Sequence, residues 1–224
     1  MVGLAQGFAM STRQAMMERV RQALGRAAGQ PMAPLAAPRL RIPLSDRSTY
    51  TALFGQAFEK LAGKFVLAKN PVAAAAAVAE ILGGRQGVAS NAPFLATCGI
   101  TGLPGVQSGF SDREALRAAC ATADVGITSA DYALADTGTL VMLSSPSEAR
   151  MISLLPPIHI AVFPRSRMLA NLDELLGVLP APMEQTSSMV LITGPSRTAD
   201  IEQILVRGVH GPGEIYAVIV DQPA

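Results

Sequence analysis

The sequence predicts an α/β fold, a mainly parallel sheet flanked by helices, with an N-terminal helical extension. Three observations carry this. Short apolar runs rich in β-branched residues alternate with segments of helical periodicity from about residue 50 onward. Half of the 224 residues are hydrophobic and 16% are charged, which supplies a core and excludes a disordered chain. The 20 glycines and 16 prolines show no period, which excludes a collagen-like or repeat architecture.

Taken in order, Ser11 to Gln14 has the S-x-x-Q form of a capping box. Behind it Met16, Val20, Ala23, Leu24 and Ala27 recur at helical spacing, opposite Arg13, Arg19, Arg21 and Arg26, as in an amphipathic helix. Residues 29–43 are rich in Pro and Ala and read as an extended arm. Residues 1–45 are therefore expected to form an extension and 46–224 the α/β domain. Within the latter, 51–61 reads as a helix stopped by Gly63, and 65–68 as a strand. Pro71 opens an Ala-rich helix that Gly83 and Gly84 end; 87–90 is a strand. Ser111 is the expected cap of a helix to 121, followed by a strand at 125–128. The runs 158–163, 189–193 and 215–220 are further strands.

Composition narrows the partners. Eighteen basic and 17 acidic residues leave a net charge of +1, so a nucleic acid or an acidic membrane surface is not the expected partner. The absence of Trp argues against base-stacking platforms. Two cysteines without CxxC spacing and two histidines do not furnish a four-cysteine cluster or a cysteine-rich zinc site. No metal or cofactor is therefore expected to be bound by this chain alone. The cysteine count suits a reducing cytoplasm. The opening MVGLAQGFAM lacks the basic start of a signal peptide, and the Ala-rich run at 72–79 is too short for a membrane span.

Three segments hold the chemistry. In the first, ITSADYALADTGTLVML, Ser129 is expected to cap a short helix that ends at a Thr137-Gly138 turn before the next strand. Asp136 beside Thr137, Gly138 and Thr139 can aim a carboxylate at a substrate or hold an anion. A helix end at which Gly138 merely takes a positive φ accounts for the same residues. In the second, Gly194 to Thr198 read as a strand-to-helix turn in which Ser196, Arg197, Thr198 and helix amides cradle an anion, although Asp200 and Glu202 can serve the helix dipole themselves. In the third, His210 lies between glycines on a loop, placed to act as acid or base. His159 shares a strand face with Ala161 and Phe163, either as a half-buried structural group or as a site residue.

The order and wording of ITSADYALADTGTLVML, LLPPIHIAVF and LITGPSRTADIEQILVRGVHGPGEIYAVIVD resemble the LUD-domain family, in its lactate-utilisation C branch, over about residues 45–222. The family usually reads A-E-T-G-T where this chain has Ala135-Asp136-Thr137, so the acid is one methylene shorter. The resemblance implies a fold of the glucosamine-6-phosphate deaminase, ribose-5-phosphate isomerase and CoA-transferase type. It further implies a part in oxidising L-lactate to pyruvate with lactate-utilisation proteins A and B, whose iron–sulfur clusters carry the electrons. On that reading the chain supplies a small carboxylate or phosphate site, where the three segments meet at the strand ends. A free-standing enzyme of the transferase or isomerase type and a non-catalytic structural partner stay open, as does self-association.

Overall fold

The computed structural model describes residues 12–25, 29–30, 47–199 and 205–221. The chain divides into two compact units, Met1–Ala36 and Ala37–Ala224. In the first, α1 (Thr12–Leu24) carries Met16, Val20 and Leu24 exposed along one stripe, with an ion pair between Arg21 and Glu18 at 3.6 Å. The expected cap Ser11, Arg26, Ala27 and residues 31–46 of the arm and its end lie outside the described residues.

The second unit runs α2 (Tyr50–Lys60), β1 (Lys64–Ala68), α3 (Pro71–Leu82), β2 (Gly87–Ala89), α4 (Pro93–Thr97), β3 (Val106–Gln107), α5 (Arg113–Thr122) and β4 (Val125–Ser129). It continues through β5 (Tyr132–Leu134), β6 (Thr139–Leu143), β7 (Ile158–Pro164), β8 (Met168–Leu169), α6 (Leu172–Val178) and α7 (Pro182–Gln185). It closes with β9 (Met189–Ile192), β10 (Arg197–Ala199), β11 (Leu205–Arg207) and β12 (Glu214–Val220). Six strands pair in the order β1-β12-β7-β4-β2-β3, every pair parallel, as the apolar runs predict. A second sheet, β8-β5-β6-β9, is mixed, and β10 pairs with β11. No helix among the described residues is long and apolar enough to cross a membrane.

Strand alternation sorts the core. Ile158, Ile160 and Val162 of β7 face one way and pack with Ala74, Val78 and Leu82 of α3 and Leu95 of α4. Ala161 and Phe163 face the other way, onto Phe54 and Phe58 of α2 and Leu140 and Met142 of β6. The result is three layers: helices, parallel sheet, and the second sheet with α2. Phe163 meets Phe54 edge-on at 6.0 Å, and Phe54 stacks on Phe58 at 5.1 Å. Gly126 of β4 has no room for a side chain, since a Cβ there would lie 1.9 Å from the Ile152 carbonyl oxygen.

The helix ends follow local chemistry, with corrections. Asn70 accepts the Ala73 amide at 2.9 Å ahead of Pro71, and Gly83 takes φ 54°, as expected. The cap of α5 is Asp112, which accepts from Ala115 at 2.7 Å, and Ser111 lies one residue outside; a carboxylate at the N-cap also meets the helix dipole. At the end of α2 the left-handed residue is Ala62 (φ 65°), followed by Gly63, whose amide returns to Phe58 at 2.9 Å while that of Ala62 bonds Glu59. Two expected helices are strands. After Ser129 the chain forms β5, antiparallel to β6 and parallel to β8, burying Ala133 and Leu134. One turn of helix could not match that pairing, so tertiary context overrides local preference. After Gly194, β10 forms a hairpin arm with β11, because the Ser196 amide donates to Pro212 O and the Gly208 amide to Ser196 O, turning the chain back on itself.

Candidate functional site

Two polar groupings lie at opposite ends of the parallel strands. The first gathers most of the residues singled out from sequence, near the amino ends of β1 and β12. Thr139, buried on β6, donates to Thr137 Oγ1 at 2.8 Å and lies 2.9 Å from Thr193 Oγ1. Gly138 (φ 61°) presses on the backbone of α2, where a Cβ would come within 2.5 Å of Phe58 N. Gly194 (φ 84°) sits against Leu61, and Arg197 donates from its guanidinium to Leu61 O, one of the carbonyls that a helix end leaves unpaired. Ser196 lies beside Gly211, with its amide held by Pro212. The three sequence segments thus meet around the end of α2, and β10 rather than a helix N-terminus follows Ser196.

The remaining predicted residues are placed as follows. Asp136 is exposed, with its amide bonded to Ala170 O. Thr198 lies on β10, and its side chain is outside the described residues, as are Asp200 and Glu202. His210 is exposed on the Gly208 to Gly213 loop. His159 is wholly buried in β7 rather than half-buried, with Nε2 2.7 Å from Thr128 Oγ1 and Nδ1 without a partner. Burial pushes its pKa down to about 4, which leaves the ring neutral near pH 7.

The second grouping was not visible in the sequence. It is a cavity of about 330 Å3 beyond the carboxyl ends of β2, β4 and β7, where open parallel sheets bind ligands. Ser129, Asp131, Ser145, Ser147, Glu148 and Arg167 contribute its polar lining. Glu148 is only 7% exposed. Its Oε2 accepts from Ser90 Oγ at 2.8 Å and from the Ser129 amide at 3.2 Å, while Oε1 has no partner among the described residues. Burial first of all pushes this carboxyl up to about 8, and the neighbouring Asp131 adds to the rise against those two hydrogen bonds. Asp131 is also raised by burial, although its Oδ2 accepts the Leu143 amide at 2.7 Å and Arg167 lies nearby. The Arg167 guanidinium stands 5.6 Å above the Tyr132 ring.

Chemically, a carboxyl of this kind is a neutral acid at pH 7 that can donate or take a proton close to neutrality. The one sequence signal for it is the spacing Ser145-Pro-Ser-Glu148, a capping turn in which the Glu148 amide donates to Ser145 Oγ at 3.0 Å. The burial that raises the acid comes from the fold around it, and the groups that hold its Oε2 against that rise, Ser90 and Ser129, lie 58 and 19 residues away. Among the described residues no group of three or more His, Cys, Asp or Glu stands close enough to hold a metal ion.

With this geometry in view, a family model for the LUD domain matches residues 52–220. Lactate utilization protein C of Halalkalibacterium halodurans is 43% identical over 103 residues, covering 44% of this chain and 45% of that protein. Its namesake in an Exiguobacterium species is 40% identical over 114 residues, covering 49% and 50%. An uncharacterized protein of Neisseria meningitidis serogroup B is 37% identical over 98 residues, covering 43% and 42%. The chain spans about half the length of the curated relatives it matches. A crystal structure of a DUF162 family protein from Deinococcus radiodurans shares the fold, with a TM-score of 0.59 at 21% identity, covering 80% of this chain and 99% of that one.

Proposed function

We propose, from the premise that this chain belongs to the LUD-domain family, that it takes part in lactate utilisation in the cytoplasm. In that role it acts in the oxidation of L-lactate to pyruvate beside iron–sulfur proteins, the lactate-utilisation proteins A and B. The observation that carries the reading is the identity of about 40%, over 103 and 114 residues, to proteins named lactate utilization protein C. The cysteines support leaving electron transfer to partners. Cys98 and Cys120 are buried in separate apolar clusters, and burial pushes both thiols up, so neither is set up as a thiolate ligand. In this role the cavity at the carboxyl ends of the strands is where a small substrate or product would be held.

The test is L-lactate-dependent reduction of an electron acceptor, measured anaerobically with this chain alone, with the two iron–sulfur proteins alone, and with all three mixed. Full activity is expected only in the mixture. Partners that turn over at the full rate without this chain would refute the role.

A further inference from the structure

Accounting for hydrogen bonds separates the two polar groupings. At the amino ends of the strands, Arg197 gives one guanidinium N–H to Leu61 O, and Thr139 bonds both Thr137 and Thr193. At the carboxyl ends, among the described residues, the hydrogen bonds to the Glu148 side chain go to Oε2, and Oε1 is buried with none. An unsatisfied buried polar atom costs about 1–3 kcal/mol, so a native fold that keeps one calls for a partner from outside the chain. Glu148 lines a cavity of about 330 Å3, the small end of the range for ligand sites. That volume suits a compact metabolite.

The charges narrow the ligand. Among the described residues, the charged groups that line the cavity with Glu148 are Asp131, after β4, and Arg167, whose charge acts on Asp131; Ser90 and Asn91 after β2 and Pro93 and Phe94 of α4 bring none. With Glu148 neutral, Asp131 and Arg167 cancel, and an anion can approach the guanidinium. With Glu148 ionised the cavity is net negative and repels it. We propose that this cavity binds a small monocarboxylate bearing a second oxygen on the adjacent carbon, its carboxylate paired with Arg167 and its second oxygen hydrogen-bonded to Glu148 Oε1. An acid proton serves a hydroxyl or a carbonyl oxygen alike, so both a 2-hydroxy and a 2-oxo acid fit. The proposal deepens the lactate reading and rests on it for the choice of probes.

The experiment is calorimetric titration of the full chain with L-lactate, pyruvate and glycolate, with propionate as the probe that lacks the second oxygen. The three oxyacids are expected to bind at pH 7, and propionate about tenfold more weakly, the value of one hydrogen bond to a buried polar group. Arg167 is exposed, so Arg167→Gln should fold normally, and it should lose tenfold or more, about the strength of a charge-assisted pair. Parent affinity should fall about tenfold from pH 7 to pH 9, because only the neutral acid admits the anion. Glu148→Gln, whose side chain cannot ionise, should show no such fall. The absence of binding by any oxyacid to folded protein overturns the proposal, as does unaltered affinity in Arg167→Gln with the pH fall retained in Glu148→Gln. Growth on lactate separates the two readings. If removing the chain abolishes growth and the probes do not bind, the site is wrong and the role stands. If the probes bind and growth is indifferent to the chain, the role is wrong and the site stands.

Discussion

Glu148 and His159 are buried groups whose titrations act on stability in opposite directions, and the pH dependence of unfolding should show both. The acid ordinarily titrates at 4.5 and is held at about 8 in the fold. Its folded pKa is raised, so its contribution is fully present below about 4.5 and is lost as pH rises to about 8. At about 1.4 kcal/mol per pH unit the whole loss is about 5 kcal/mol. The imidazole is lowered from 6.5 to about 4, so the unfolded chain binds the extra proton and stability rises between those limits, by about 3 kcal/mol. From about pH 4.5 to 6.5 the two slopes cancel, apart from Asp131, which acts with the sign of Glu148 at the acid end. Among the described residues only Glu148 remains from about 6.5 to 8, and its titration should cost about 2 kcal/mol. Urea unfolding followed by far-UV circular dichroism across this range measures it. Glu148→Gln should abolish the fall above pH 6.5 and uncover the rise below it. His159→Gln, which can still meet Thr128, should uncover the full fall beginning near pH 4.5. A Glu148→Gln protein that keeps the parent's fall between pH 6.5 and 8 would refute the assignment of that titration to the buried acid.

Other substitutions probe the fold that holds the cavity. Ala62→Gly removes an L side chain from φ 65° at the end of α2 and should raise the urea midpoint by the equivalent of about 1 kcal/mol. Gly126→Ala places a methyl 1.9 Å from Ile152 O, which only backbone movement relieves; thermal unfolding should show a loss of about 3 kcal/mol or more. Phe163→Ala empties the ring position between the sheet and α2 and should cost about 3–5 kcal/mol by the same measurement.

The parallel sheet was legible because its strands are apolar on both faces. Ile158 to Phe163 and Ile215 to Val220 have no other reading at that length, and Pro71 and Gly83 bracket α3 by local chemistry alone. In the mixed sheet, β6 and β9 were legible and β5 and β8 were not. Tyr132-Ala133-Leu134 is too short to show a period, and its strand state is imposed by β6 and β8, the latter more than 30 residues further along the chain. The same limit hid the cavity. Ser90, Ser129, Glu148 and Arg167 come from four separate segments, and no spacing in one dimension marks them. The Thr137 to Thr139 and Gly194 to Arg197 segments stood out because turns demand particular residues. Once folded, Gly138 makes way for Phe58 and Arg197 serves a helix carbonyl.

That contrast bears on where the ligand goes. Residues that specify a turn act through contacts made during folding, and those contacts explain Gly138 and engage part of the hydrogen-bonding capacity of Thr139 and Arg197. A binding group must instead keep hydrogen-bonding capacity in reserve after folding, at an energetic cost borne by the rest of the structure. Here the reserve is Glu148 Oε1, buried and without a partner among the described residues, in a cavity that Arg167 also lines at the ends of the parallel strands. The cost is tolerable because Ser90 and the Ser129 amide hold Oε2, and because a neutral carboxyl avoids most of the penalty for burying a charge. The same feature that weakens the fold as pH rises therefore keeps the cavity open to an anion near neutrality. A single substitution, Glu148→Gln, should abolish together the loss of stability and the loss of affinity as pH rises through neutrality.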